Sequence, residues 1–393
     1  MIKVISSERI PIKLWLDSIE EGALQQAKNL ANLPFAFKHI SIMPDSHQGY
    51  GMPIGGVLAT DKVIIPNAVG VDIGCGMCAV LVNLINMKKI NLEKIVDLIK
   101  ETVPVGKNWH EKKQSNILMP KRQSKEYMPI VWQQYEKALY QLGTLGGGNH
   151  FIEIQHGSDN QIWIMVHSGS RNIGKQVADH YNKLATYLNE RWHTQVPKEH
   201  QLAFLPIDSI EGKQYRNEME YCVDFALANR SLIMERIQNI FVSVYSDINI
   251  SFAPMINIAH NYAAMENHFG RNVMVHRKGA TQAREGQLGI IPGSQGSKSY
   301  IVKGKGNMES FQSCSHGAGR RLGRKQAKRE LNLEEQKRIM DDQGIIHSIK
   351  SIKNLDEAPG AYKDIDVVMK NQSDLVDIVV ELSPLAVIKE EEE

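Results

Sequence analysis

The sequence predicts a mixed α/β (α+β) fold, built as a single large domain over residues 1–393 with mixed β-sheets around one central cleft. Three observations lead there. Short apolar runs punctuated by Gly and Pro, the pattern of strands joined by tight turns, recur in the first and last thirds of the chain. Longer segments with apolar residues at helical spacing lie between them. Side chains able to ligate or attack stand in glycine-rich loops of both outer thirds, so those loops converge most simply on one place. The length allows two or three domains, but this distribution argues against a clean division into two.

Within residues 1–85, ISIMP, IGGVLAT, KVIIP and CAVLVNL read as strands, with a helix over 18–31 before the first of the loops. A helix over 91–103 follows, with Asn91 as a possible N-cap, and the same periodicity returns over 131–142. The polar segment between them holds Lys107, His110, Lys112, Lys113, Lys121, Arg122 and Lys125 beside Trp109. It reads either as a solvated loop or as a mobile cover that touches phosphates. FIEI and WIMVHSG resume the strand pattern. Helices over 173–192 and 215–240 make about 173–250 a possible helical insertion, with 190–215 an insertion of its own rather than a linker. Strands and glycine turns return from 256, and helices over 318–330 and 333–342 follow. No internal repeat is present, and the acidic tail 390–393 is the one low-complexity stretch.

Composition narrows the class. Charged residues at 23% and hydrophobic ones at 42% are ordinary for a globular chain, and a formal charge of +2 gives no whole-protein reason to bind a polyanion. Any nucleic-acid contact must come from local patches. The N-terminus lacks a signal-like apolar core, and the apolar run SLIMERIQNIFVSVYS is broken by Glu235, Arg236 and Gln238, so an amphipathic helix, no membrane association and a cytoplasmic location are expected. A monomer is the default expectation. Four cysteines are too few for a disulfide framework. Cys222 and Cys314 are expected to pack, while Cys75 and Cys78 form a CxxC with no second CxxC to complete a four-thiolate site.

The chemistry-bearing residues are Asp72 and Cys75 in VGVDIGCGM, His150 in LGGGNHFIEI, His167 in VHSGSR and His260 in HNYAA. One carboxylate, one thiolate and three imidazoles exceed a single closed zinc site and suit two adjacent catalytic metals, with Mn²⁺ or Zn²⁺ accepting the mixed set and the thiolate able to bridge. Each histidine alone reads as an ordinary hydrogen-bonded one; their recurrence beside Gly and Ser raises the case for a site. Asn149 and Glu153 flank His150 and could orient metal or nucleotide. In SCSHGAGR the GAG turn can aim backbone N–H groups at an anion, Arg320 can neutralise phosphate, and a helix over 318–330 would offer its positive end. His316 there is either a nucleophile toward phosphorus or a helix-capping histidine. HRKGA, with Arg277 and Lys278, and IIPGSQGSKSYIV, with Ser299, are weaker phosphate or purine signals. GRRLGRKQAKRE could track a nucleic-acid backbone or form a solvated helix face.

Taken in order, MPDSHQGYGMPIGG, VGVDIGCGM, LGGGNHFIEI, HSGSRNIG, HNYA, HRKGA, IIPGSQGSKSYIV, SCSHGAGR and AYKDID resemble the RtcB-type RNA ligases over nearly the whole chain. That family joins RNA 3′-phosphate or 2′,3′-cyclic phosphate ends to 5′-hydroxyl ends. The resemblance implies an RtcB-like fold, a single large catalytic domain with a central metal/nucleotide cleft. It implies two Mn²⁺ held by Asp72, Cys75, His150, His167 and His260, with Cys75 bridging, and His316 as the nucleophile that carries GMP. GTP would be contacted by Asn149, His150, Phe151, Ile152, Glu153, His260, Asn261, Pro292, Gly293, Ser294, Gln295, Ser299, His316, Gly317, Ala318, Gly319 and Lys389. Asp45 and Arg320 join the catalytic set. RNA, as tRNA halves or cleaved RNA ends, is the implied partner, with an archease-type activator possible. Two other readings stand beside it: a metal-dependent RNA cyclic phosphodiesterase or phosphatase without ligation, and a metal-stabilised RNA-binding protein without turnover. One departure is visible. Family members commonly end in Lys-Gly, whereas here Lys389 is followed by Glu390, Glu391, Glu392 and Glu393, either competing for the Lys389 ammonium or forming a screened tail.

Overall fold

Two large sheets organise the chain, seen in a computed structural model that describes residues 1–390. Of the expected tail 390–393, residues 391–393 lie outside the described residues. The seven-stranded sheet runs in the order Ile256–Ala259, Gly76–Val82, Ile162–Ser168, Phe151–Gly157, Val376–Ile388, Ser299–Gly304, Leu288–Ile291, each neighbour antiparallel. The six-stranded sheet runs Lys3–Ile5, Ile12–Leu14, Ala36–His47, Ile54–Thr60, Arg271–Lys278, Asn261–His268. It is mixed, because Ile12–Leu14 and Ala36–His47 pair in parallel. Ala280–Gln282 with Ser313–Ser315 and Val63–Ile64 with Leu205–Pro206 form small ribbons.

The central strands are apolar on both faces because both are covered. Along Gly76–Val82, Cys78, Val80 and Val82 point into one core with Ile95, Ile99, Ile233 and Ile237, while Met77 and Ala79 face another with Ile345, Ile349 and Leu355. The helices that supply the first core are Lys89–Thr102 and Ile210–Val244. The latter opens on Ser209, whose hydroxyl accepts from the Gly212 N–H at 3.0 Å. Helices Glu21–Ala31, Pro129–Gln141 and Arg171–Arg191 match three expected periodic segments, and Pro129 stands at the first turn of its helix, where a missing N–H costs nothing. Asn91 lies inside the helix it was expected to cap, since the first turn begins after Lys88.

The region about 173–250 is not a peripheral addition. Its two long helices pack around Tyr181, Cys222 and Phe225, and the 190–215 stretch is tied down by buried Leu202 and by the Val63–Ile64 ribbon. No helix among the described residues is long and apolar enough to cross a membrane. The 107–125 segment is loop apart from a short 3₁₀ turn, Asn116–Leu118.

The helix expected over 318–330 begins only at Arg324. Residues before it take backbone partners from across the chain instead of from the preceding turn: Arg321 N donates to Ala361 O at 2.9 Å and Lys363 N to Gly319 O at 2.9 Å. Gly319 permits this. Its φ is +74°, and a Cβ there would stand 2.0 Å from the Asp45 carbonyl oxygen. No helix end therefore faces His316, and the anion cradle depends on loop amides alone.

Arg277 and Lys278, weak phosphate candidates from sequence, are structural. Arg277 is fully buried and holds Glu266 through two bonds, 2.5 and 3.0 Å, while His268 Nε2 adds a third contact to Glu266 at 2.9 Å. Lys278 Nζ donates to the carbonyls of Tyr50 and Asn67 at 2.6 and 3.0 Å.

Candidate metal centre and nucleotide pocket

Sheet register assembles the ligand set. Gly76 pairs with both Ala259 and Ser168, and Phe151 pairs with His167, so four adjacent strands end at one level. Cys75 immediately precedes its strand, His150 precedes the next but one, His260 follows its strand, and His167 lies one residue from the end of its own. Only glycine fits at position 76, where a Cβ would stand 2.0 Å from the Ile258 carbonyl oxygen.

Cys75 Sγ lies 3.4 Å from His150 Nε2 and 3.2 Å from His167 Nε2. His150 Nε2 is 3.1 Å from Asp72 Oδ2, and His167 Nε2 is 3.4 Å from His260 Nε2. The five side chains thus form two triads, Cys75–His167–His260 and Asp72–Cys75–His150, that share the sulfur. Two ring orientations are fixed from behind: His150 Nδ1 donates to Leu145 O at 2.9 Å and His167 Nδ1 to Asn149 O at 3.0 Å, which turns both Nε2 lone pairs toward the cluster. Burial raises the Asp72 carboxyl, but the hydrogen bond and charge of His150 outweigh it and hold the group at about 2. Burial, then the negative charge of Asp72, pushes the Cys75 thiol well up, and burial, then neighbouring imidazoles, pushes His167 and His260 well down. The neutral imidazoles of His167 and His260 and the ionised carboxylate are ready donors, and a divalent cation would displace the thiol proton. One sulfur common to two triads fits a bridged pair of borderline cations.

Cys78 takes no part. It is buried, its thiol pushed up to about 12 by that burial, with its sulfur toward Arg230 O at 3.8 Å. Cys222 and Cys314 are also buried and free. Equilibrium dialysis against Mn²⁺ is therefore expected to show a marked loss of bound metal in Cys75→Ala and none in Cys78→Ala.

The second half of the site is an aspartate–histidine pair. A bulge between Ile42 and His47, where Pro44 cannot donate to the ladder, turns Asp45 inward from its strand. Asp45 is fully buried, and its Oδ2 accepts from His316 Nδ1 at 2.6 Å, His316 N at 3.0 Å and Gly317 N at 3.3 Å. His316 Nε2 is the ring nitrogen turned away from Asp45, and the ring lies 4.8 Å from that of His260.

A pocket connects the two halves. Its wall includes Asn149, Phe151, Glu153, Pro292, Gly293, Ser294, Gln295, His316, Gly317, Ala318, Gly319 and Lys389, together with His167 from the metal cluster. Burial, opposed by the charge of Lys389, raises Glu153 to about 8, so it is protonated at neutral pH and can donate. Some expected contacts fall elsewhere. Ile152 points into the apolar core on the far side of its strand. Asn261 braces the Asp72 loop, donating to Asp72 O at 3.1 Å, and Ser299 accepts from Gly293 N at 3.1 Å to shape the pocket wall. Arg320 lines the pocket, but its charge is met by Glu357 Oε1 at 3.2 Å and the Asp356 carbonyl.

Glu357 was missed by sequence reasoning. It gathers Arg320, Arg324 (2.7 Å), Lys389 (3.2 Å) and the Tyr362 hydroxyl (2.5 Å), and these cations draw it down to about 2 against its burial. Lys389 thus pairs with Glu357 while its ammonium sits 5.6 Å from the Phe151 ring centre. Glu390 instead turns its carboxylate onto Gly106 and Gly147, where its charge acts on Arg171. Asn229 and Arg230 were missed as well. Asn229 bonds the backbone of Gly143, Thr144 and Gly169, and Arg230 Nη1 donates to Gly74 O at 3.0 Å and Ser168 O at 2.8 Å, so the long helix holds the metal loops. The one available signal was an amide and a charge inside the mostly apolar run FALANRSLIM of that helix.

Fold and site together define a mixed α/β protein whose shared-sulfur cluster of candidate metal donors opens onto a histidine-bearing pocket. The family described as "tRNA-splicing ligase RtcB" matches residues 26–136 and 123–390. Similar proteins include the RNA-splicing ligase RtcB of Escherichia coli (strain K12), 39% identical over 98% of this chain and 99% of that protein. The tRNA-splicing ligases RtcB of Thermococcus kodakarensis and Nanoarchaeum equitans are 31% and 32% identical, covering 97% and 99% of this chain and 95% of each of theirs. The chain belongs to the RtcB family.

Proposed function

We propose that this chain is a GTP- and Mn²⁺-dependent RNA ligase that joins 3′-phosphate or 2′,3′-cyclic phosphate ends to 5′-hydroxyl ends, acting as one catalytic domain over 1–393. The observation that carries the reading is the Asp45–His316 pair set beside a five-residue donor cluster and opening into the same pocket. His316 Nε2 would attack the α-phosphorus of GTP, forming a P–N bond as the bond to pyrophosphate breaks, with Asp45 holding the Nδ1 proton and offsetting the positive charge that develops on the ring. The RNA 3′-phosphate oxygen then takes GMP from His316, and the 5′-hydroxyl oxygen attacks the activated 3′-phosphorus, expelling GMP; a cyclic end is first hydrolysed to the 3′-phosphate. The amides of Ala318 and Gly319 and the protonated Glu153 would bind phosphate and base. Asp72, Cys75, His150, His167 and His260 would hold two Mn²⁺, which supply charge neutralisation and alignment of attacking and leaving oxygens. RNA in the form of tRNA halves or cleaved strands is the substrate class.

The test is incubation with GTP and Mn²⁺ followed by intact-protein mass and by ligation of strands with defined ends. An acid-labile GMP adduct and GTP-dependent joining support the reading; end processing without GTP consumption would favour the phosphodiesterase instead. The seat of Glu390 near Arg171 opposes an incoming phosphate. Glu390→Gln is thus expected to lower KM for the 3′-phosphate strand by about three- to tenfold at low salt, with the gain shrinking as salt rises.

A further inference from the structure

The 107–125 segment has no role in the metal centre or the pocket, yet it starts at their edge. Its six cations oppose one anion, Glu111, in a chain whose formal charge is only +2. Gly106, with φ +64°, donates its N–H to Gly146 O at 2.8 Å, and its carbonyl accepts from Arg171 Nη2 at 3.3 Å. Arg171 is the cation that acts on Asp72 of the cluster and on Glu390, so this turn adjoins that site. Four residues on, the chain is pinned again: His110 N donates to Tyr140 O at 3.0 Å and Arg236 Nη1 to His110 Nε2 at 2.8 Å.

Trp109 lies between these anchors with 45% of its surface exposed. Backbone this well fixed does not leave an indole in water for want of structure. The rings of the neighbouring helix Pro129–Gln141 are already engaged: Arg122 is held between Trp132 and Tyr135, 3.8 and 3.6 Å from their ring centres. Among the described residues, no ring or cation stacks on Trp109. An exposed ring carried on pinned backbone in a basic segment is how single strands are gripped without sequence preference: cations track the phosphates and a base lies on the ring face.

We propose that Trp109 is the stacking platform for a base of the RNA strand that bears the 3′-phosphate, one or two nucleotides in from its end. The proposal rests on the ligase reading. Three residues of chain separate Gly106 from Trp109, at most about 10 Å, so the platform stands within a short stretch of strand from Arg171 and the metal cluster. It is a positioning residue, which grips the strand without touching the reacting atoms.

Steady-state ligation of a 3′-phosphorylated donor strand tests it. Trp109→Ala is expected to raise KM for the donor by about tenfold or more, Trp109→Phe to raise it far less, and kcat at saturating donor to change by less than about twofold. Donor strands with one abasic site, stepped inward from the 3′ end, should show a single position at which wild type loses as much as Trp109→Ala and the variant loses nothing further. An unchanged KM, or an abasic profile identical in both proteins, overturns the platform. So does a fall in kcat with a lowered melting temperature in both variants, which marks a structural tryptophan. A wild type that does not ligate overturns the ligase reading separately; the platform is then decided by whether the donor strand quenches indole fluorescence in wild type and not in Trp109→Phe.

Discussion

His316→Ala should abolish the GMP adduct, and Asp45→Asn should slow its formation by about 10³–10⁴-fold, the scale on which an orienting aspartate acts through its histidine. Asp45 Oδ2 accepts three N–H bonds at 2.6–3.3 Å, one from the imidazole and two from the backbone of the same turn. Replacing the carboxylate by an amide whose oxygen keeps the two backbone N–H bonds removes the charge that favours a ring becoming cationic during attack. The fold should tolerate the change. Asp45 Oδ1 is buried without a hydrogen-bond partner, so a neutral amide is less costly to bury there than an anion. Quenched-flow measurement of adduct formation, with melting curves as control, checks both variants. Persistence of the adduct in His316→Ala would remove His316 from the nucleophile role.

Glu266→Ala is expected to destabilise the protein by about 3–5 kcal/mol at neutral pH, because it leaves the Arg277 guanidinium buried and unpaired. Arg277 also donates to Ser313 Oγ and Phe311 O, both at 2.9 Å, on the strand that leads to His316, so activity should fall with stability. The pH dependence has a definite sign. Burial raises Glu266, but Arg277 and His268 bring it down to about 2 from 4.5, so the carboxylate's contribution is complete above pH ~5 and is lost as pH falls toward 2. Urea unfolding should show the gap between wild type and Glu266→Ala narrowing over that interval. A gap that stays constant or widens on acidification would contradict the ion-pair assignment.

Local patterns made much of this legible. Helical periodicity located Lys89–Thr102, Pro129–Gln141 and Arg171–Arg191 to within a few residues, and glycine-rich phrases marked the loops around Cys75, His150 and His316. What a linear reading lacks is the partner across the chain. Asp45 and His316 are 271 residues apart, and nothing local at either position says they meet. The helix expected from 318 starts at 324 because the 359–363 segment offers better backbone partners, and Arg320 is neutralised by Glu357, 37 residues away. Ile152 was placed in the pocket with its neighbours because the resemblance gives a stretch of chain, whereas a strand turns alternate residues to opposite faces. Asn229 and Arg230 were hidden for a related reason: a buried polar pair in a locally apolar run of helix indicates importance but not which loop it holds.

The strand Val376–Ile388 lies between Phe151–Gly157 and Ser299–Gly304, and it delivers Lys389 to Glu357. During synthesis, then, both neighbouring strands have left the ribosome long before the one that joins them. A nascent chain released or stalled short of residue 376 carries two unpaired strand edges facing an empty slot, the arrangement most prone to pairing with another molecule. The pocket beside His316 gains the Lys389 part of its wall only when residue 389 emerges, so a shorter copy of this protein presents that pocket open on one side.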